Sequence, residues 1–115
     1  MTQSVEMQKI TGQFKEKLTG QMFKYHCEEW DLDIYYRASA SMRVEAKIMA
    51  LTQQGKSAEA LVESVIQKAL KEDGSRMFKD HERANLMNEA DPSVIISVAS
   101  ALNNTDDPQE VVAKN

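Results

Sequence analysis

The chain has a single cysteine, Cys27, among its 115 residues. An intramolecular disulfide is therefore excluded, which fits a reducing cytoplasm. Long apolar runs are missing too: a segment such as Val94-Ile95-Ile96 falls far short of the ~20 residues needed to cross a bilayer. The N-terminus has no apolar stretch of the kind a secretory signal requires. Positive charge is not in excess; the formal net charge of −4 removes overall electrostatic support for a nucleic-acid-binding role. There is no GxGxxG, Walker, GxSxG or HExxH pattern, no internal repeat and no low-complexity segment.

What is present is ordinary for a globular domain: 42% hydrophobic and 28% charged residues, in a chain long enough for one modest core. The charge is uneven. Residues 1–24 carry four lysines and two acids, a balance of +2, and the remainder carries ten basic and sixteen acidic residues, a balance of −6. Scattered solvated lysines account for this, and a protein partner for the basic end is the sharper reading.

Met7, Ile10, Phe14 and Leu18 recur at helical spacing and predict a helix over 4–18, with Gly20 as its stop. Met22-Phe23-Lys24-Tyr25-His26-Cys27 and Leu32-Asp33-Ile34-Tyr35-Tyr36-Arg37 flank a polar stretch that contains Trp30, and predict a β-hairpin. Phe23, Tyr25 and Cys27 form the buried face of the first strand. Leu32, Ile34 and Tyr36 share one face of the second, opposite Asp33, Tyr35 and Arg37. A lone hairpin is marginal in water, so helices must cover one side of it.

Ser39 or Ser41 can cap a helix running to Gln54, with an inner stripe of Val44, Ile48 and Leu51 and Gly55 as its end. Ser57 caps the clearest helix, in which Ala58, Leu61, Val62, Val65, Ile66, Ala69 and Leu70 form the apolar face, and Gly74 ends it. Asp80 starts a short helix to Glu89. Asp91-Pro92 starts the last one, with the stripe Val94, Ile95, Val98 and Leu102 and with Asn103 and Asn104 at its end. The expected fold class is α+β: mainly α-helical, with one antiparallel β-hairpin packed on a small helical bundle. The expected organisation is an N-terminal helical, mobile segment over 1–20, one α+β core domain over 21–104 and a disordered tail over 105–115.

The sequence carries no recognisable catalytic or metal-binding constellation. His26 and Cys27 are adjacent on a strand, so they point to opposite faces, and no second Cys/His pair stands at zinc spacing. A calcium loop with Gly74 at its sixth position would put Ala69 first and Lys71 third, where oxygen ligands are needed. Glu72-Asp73-Gly74 is better read as a turn that folds Met77 and Phe78 back onto the core. Asp31 and Asp33 have no partner base and are read as solvated. No catalytic residue, metal site or cofactor is expected. The candidates for partner binding are Trp30, Tyr35 and Tyr36 on or beside the hairpin, and Met42 and Met49, seven apart on the exposed side of helix 41–54. For each the alternative is core filling.

The order of these features resembles the tail assembly chaperones of lambda-like, long-tailed bacteriophages. The likeness runs over residues 20–104. It rests on a hairpin with Glu29-Trp30 near its turn, the pattern of Glu72, Asp73, Gly74, Phe78 and Asp80, and a closing helix ending in Leu102-Asn103. The resemblance implies a non-enzymatic protein of the host cytoplasm. Its implied partners are the tape-measure protein, which such proteins coat and keep soluble, and the major tail tube protein, which they recruit. It implies no nucleic acid and no membrane, and leaves homo-oligomer formation open. It also implies a longer, frameshifted product that contacts the tube protein; Lys114-Asn115 can be encoded by AAA-AAC, part of a slippery heptamer. Two other classes remain: a small structural or adaptor protein of a virion or complex, and a regulator binding nucleic acid through residues 1–24.

Overall fold

The computed structural model describes residues 3–20 and 22–103; the expected tail over 105–115 and the Lys114-Asn115 pair lie outside them. The elements are α1 (Val5–Gly20), β1 (Met22–Cys27), β2 (Leu32–Arg37), α2 (Met42–Gln53), α3 (Ser57–Lys68), a 3-10 turn (Asp80–Glu82), α4 (Arg83–Glu89) and α5 (Pro92–Asn103). The fold class is α+β, mainly helical with one antiparallel hairpin.

The hairpin pairs Met22 with Arg37, Phe23 with Tyr36, Tyr25 with Ile34 and Cys27 with Leu32. Period-two alternation sends Phe23, Cys27, Ile34 and Tyr36 into the core. The rings of the cross-strand pair Phe23 and Tyr36 lie 5.5 Å apart. Leu32, beside the turn, stays exposed.

α3 is the centre of the bundle and contacts α2, α4 and α5. Ala60, Val62, Glu63, Ser64, Val65 and Ile66 are all buried, so it is covered around most of its circumference. α5 supplies Val94, Ile95, Val98, Ala99 and Leu102 to the same core, and α4 supplies Leu86. α5 also reaches β1, which closes the core over the hairpin.

Several local signals act as expected. Ser41 caps α2, its Oγ accepting from the Val44 N–H at 3.3 Å. Gly55 follows α2 with φ 78°, a left-handed conformation that suits glycine. Asp91 Oδ1 accepts from the Ser93 N–H at 3.0 Å, just ahead of α5.

Other expectations need correction. Ser57 is the first residue of α3, and the cap position before it belongs to Lys56, which makes no side-chain capping bond. Asp80 opens the 3-10 turn, and Lys79 precedes it; the Lys79 N–H is satisfied by Glu82 Oε1 at 2.8 Å. The α3 helix stops at Lys68, before Ala69 and Leu70. Ala69 turns extended, and Leu70 exchanges two backbone hydrogen bonds with Tyr35, at 2.9 and 2.7 Å. Leu70 also bridges to Arg76, and the Met77 N–H bonds the Ala69 carbonyl at 3.0 Å. The apolar character of Ala69 and Leu70 serves a short strand-like return beside β2 and not a further helical turn.

Candidate partner-binding surface

The Glu72–Asp80 stretch is built as scaffold. Asp73 Oδ1 accepts from the backbone and hydroxyl of Ser75, at 2.9 and 2.6 Å, which pins the turn. Those hydrogen bonds hold the Asp73 carboxyl below the usual carboxylate range. Gly74 has φ 89°, and a β-carbon there would lie 3.0 Å from Arg37 Nη2. Phe78 meets Trp30 edge-on, with ring centroids 6.4 Å apart. Asp80 accepts from Arg76 at 3.1 Å.

The five candidate residues separate. Trp30 sits at the hairpin turn, next to Asp31 with its positive φ of 54°, and is half-buried against Phe78. Tyr36 is 0% exposed and Tyr35 8%, so neither tyrosine presents an open aromatic face. Tyr36 lies on the core side of β2, and Tyr35 lies where Leu70 closes the sheet edge beside it. These two readings are corrected: the second hairpin face is not open at Tyr35. Met42 and Met49 are 67% and 48% exposed, two turns apart along α2.

Two apolar features complete the surface. On α1, Ser4 caps the helix through Oγ to the Met7 N–H at 3.1 Å, and Val5, Met7 and Ile10 are exposed. Of the α1 side chains described, Phe14 alone is half-buried. The second is a groove of about 170 Å³ between α3, α4 and α5, lined by Ala58, Leu61, Met87 and Ile96 among others. It adjoins a cleft of about 320 Å³ bordered by Leu51, Val62 and Met87. Ile96 is 52% exposed. It lies off the Val94/Ile95/Val98/Leu102 stripe, and an isoleucine on the polar side of a helix was the signal available for it.

Two polar networks join the helices under this surface. Glu63, 3% exposed, accepts from Gln67 at 2.8 Å and pairs with Lys47 at 3.2 Å and Arg83 at 2.9 Å. Burial works against its ionisation, but the hydrogen bonds of Gln67 and Lys47 and the charges of Arg83 and Lys47 prevail, so its pKa falls below the ordinary glutamate value. Lys68 joins Glu45 to Asn103, and Asn103 donates to Ser64 Oγ at 2.8 Å and to the Ala99 carbonyl at 2.7 Å.

Burial raises the pKa of the Cys27 thiol, the reverse of what a nucleophilic thiolate needs. His26 Nδ1 pairs with Asp33 Oδ1 at 2.7 Å on the exposed side of the hairpin. Among the described residues no three metal-capable side chains gather, and no helix is long and apolar enough to cross a membrane.

No family model matches the chain, and no curated protein does. A solved structure, that of the bacteriophage HK97 tail assembly chaperone, shares the fold. The TM-score is 0.57 at 16% identity, over 84% of this chain and 99% of that one.

Proposed function

We propose that this chain is a non-enzymatic tail assembly chaperone of a long-tailed bacteriophage, of the lambda-like kind. It acts in the host cytoplasm by coating the tape-measure protein and bringing tail-tube subunits to it. The observation that carries the reading is the shared fold, which takes in nearly the whole of the HK97 chaperone chain. The surface supports it. A long helical protein with an apolar stripe aggregates unless that stripe is covered, and this chain offers exposed apolar side chains on α1, on the outer side of α2 and along the α3–α5 groove. Methionines at 42, 49 and 87 suit a surface that must grip varied apolar segments.

The test is co-expression with the tape-measure protein of the same phage. The expected result is that the tape-measure protein stays in the soluble fraction and co-purifies with this chain. A tape-measure protein equally insoluble with and without the chain overturns the proposal. Recovery of this chain from purified particles favours instead a structural component of the virion.

A further inference from the structure

α2 is held to the core differently from α3, α4 and α5. Each of those helices buries at least one apolar side chain, whereas α2 buries none. Its inward stripe of Val44, Ile48 and Leu51 is only half-buried. Its polar attachments to α3 are two ion pairs, Lys47 to Glu63 at 3.2 Å and Glu45 to Lys68 at 3.0 Å. The α3 members are the covered ones, their side chains 3% and 12% exposed.

Stripping a buried charge of its partners is normally what locks such a contact shut. Here each covered charge keeps at least one partner that α2 does not supply. Glu63 retains Arg83 at 2.9 Å and Gln67 at 2.8 Å, and Lys68 retains Asn103. Clefts of about 370 and 320 Å³ flank α2, one bordered by Ser41, Val44 and Glu45, the other by Lys47 and Leu51. Non-helical linkers bracket the helix, and the second contains Gly55 with φ 78°.

We infer that the side of α3 facing α2 is a helix-exchange site. α2 lifts from it with the core intact, and an amphipathic helix of a partner takes its place. Charge complementarity defines that partner. It carries a carboxylate for Lys68 and, two positions on, an ammonium for Glu63, beside an apolar stripe spaced like Val44, Ile48 and Leu51. The inference rests on this geometry and not on the chaperone reading.

The test uses the full chain carrying Glu45→Lys and Lys47→Glu, in which the tethered α2 is repelled from Lys68 and Glu63. The probe is a fluorescent peptide of the native sequence 40–54. In the native chain the tethered α2 holds the site by its high effective concentration, so the peptide should bind the charge-reversed chain more than about tenfold tighter. Hydrogen exchange on the same variant should show α2 amides unprotected and α3, α5 and hairpin amides protected. Equal peptide binding to the two chains, or none to either, overturns the inference. If the double variant does not fold, Lys47→Gln replaces it: faster exchange in α2 with α3 unchanged supports the site, and α2 and α3 exchanging only together overturns it.

Discussion

α3 and α5 bury most of their apolar residues; α2, and α1 as far as its side chains are described, fully bury none. Val65, Ile66, Val98 and Leu102 are at most 2% exposed, whereas Ile10, Met42 and Met49 face solvent. All four segments carry apolar residues at helical spacing, so hydrophobic periodicity alone does not separate them. The difference is in what lies opposite. α3 is surrounded by α2, α4 and α5, and α5 also meets the hairpin. Stability therefore resides in the hairpin–α3–α5 unit, and the exposed apolar residues of α1 and of the outer side of α2 add little to it.

The largest expected effect tests the inner half. Ile66→Ala should lower unfolding free energy by about 2–5 kcal/mol, against about 0.5 kcal/mol or less for Ile10→Ala, measured by denaturant titration. Comparable losses at the two positions break the contrast. Next comes the polar joint between α2, α3 and α4. Glu63→Ala should cost about 1.5–3 kcal/mol, because its charged hydrogen bonds go and Lys47 and Arg83 can turn to solvent. Since the folded pKa of Glu63 is lowered, its stabilisation is complete above the unfolded glutamate value and is lost as pH falls through the folded one. Glu63→Gln should therefore flatten the fall in stability that wild type shows below about pH 4.3, and an unchanged acid profile rules the network out as its source.

A smaller effect sharpens the boundary at the 71–75 turn. Gly74→Ala meets both a positive φ and the Arg37 guanidinium, and should cost about 1–2 kcal/mol. Pairing it with Arg37→Ala should recover the steric part alone, so strictly additive losses exclude the clash. The smallest stability effect concerns the outer half. Met42→Ser with Met49→Ser should shift stability by about 0.5 kcal/mol or less. It should nevertheless weaken capture of the tape-measure protein in a pull-down, and undiminished capture removes this side of α2 from the binding surface.

Local signals in the sequence were enough for much of this fold. The hairpin lies at Met22–Cys27 and Leu32–Arg37 as its alternation predicts, and Ser41, Gly55 and Asp91 act where their chemistry says they should. Long-range contacts were less legible. Alternation assigns Tyr35 and Tyr36 to opposite faces of a strand but is silent on what covers each face, and both proved buried. The pairing of Leu70 with Tyr35 leaves no periodic trace, so Ala69 and Leu70 read as one more turn of α3. Nothing in the sequence marks Glu63, because its partners Lys47 and Arg83 belong to other helices. Of the binding candidates, Met42 and Met49 are exposed and Trp30 half so; the α3–α5 groove emerges only when Ile96 and Leu61 are brought side by side.

The bond between Tyr35 and Leu70 also sets an order of events. The whole of α2 and α3 lies between the two residues, so the edge of β2 at Tyr35 cannot be paired until both helices have been synthesised. An unclosed edge is a template for pairing with another chain. On a ribosome, the hairpin emerges well before the segment that shields it. The Tyr35 amide should therefore be among the last in the sheet to gain protection in pulse-labelled refolding.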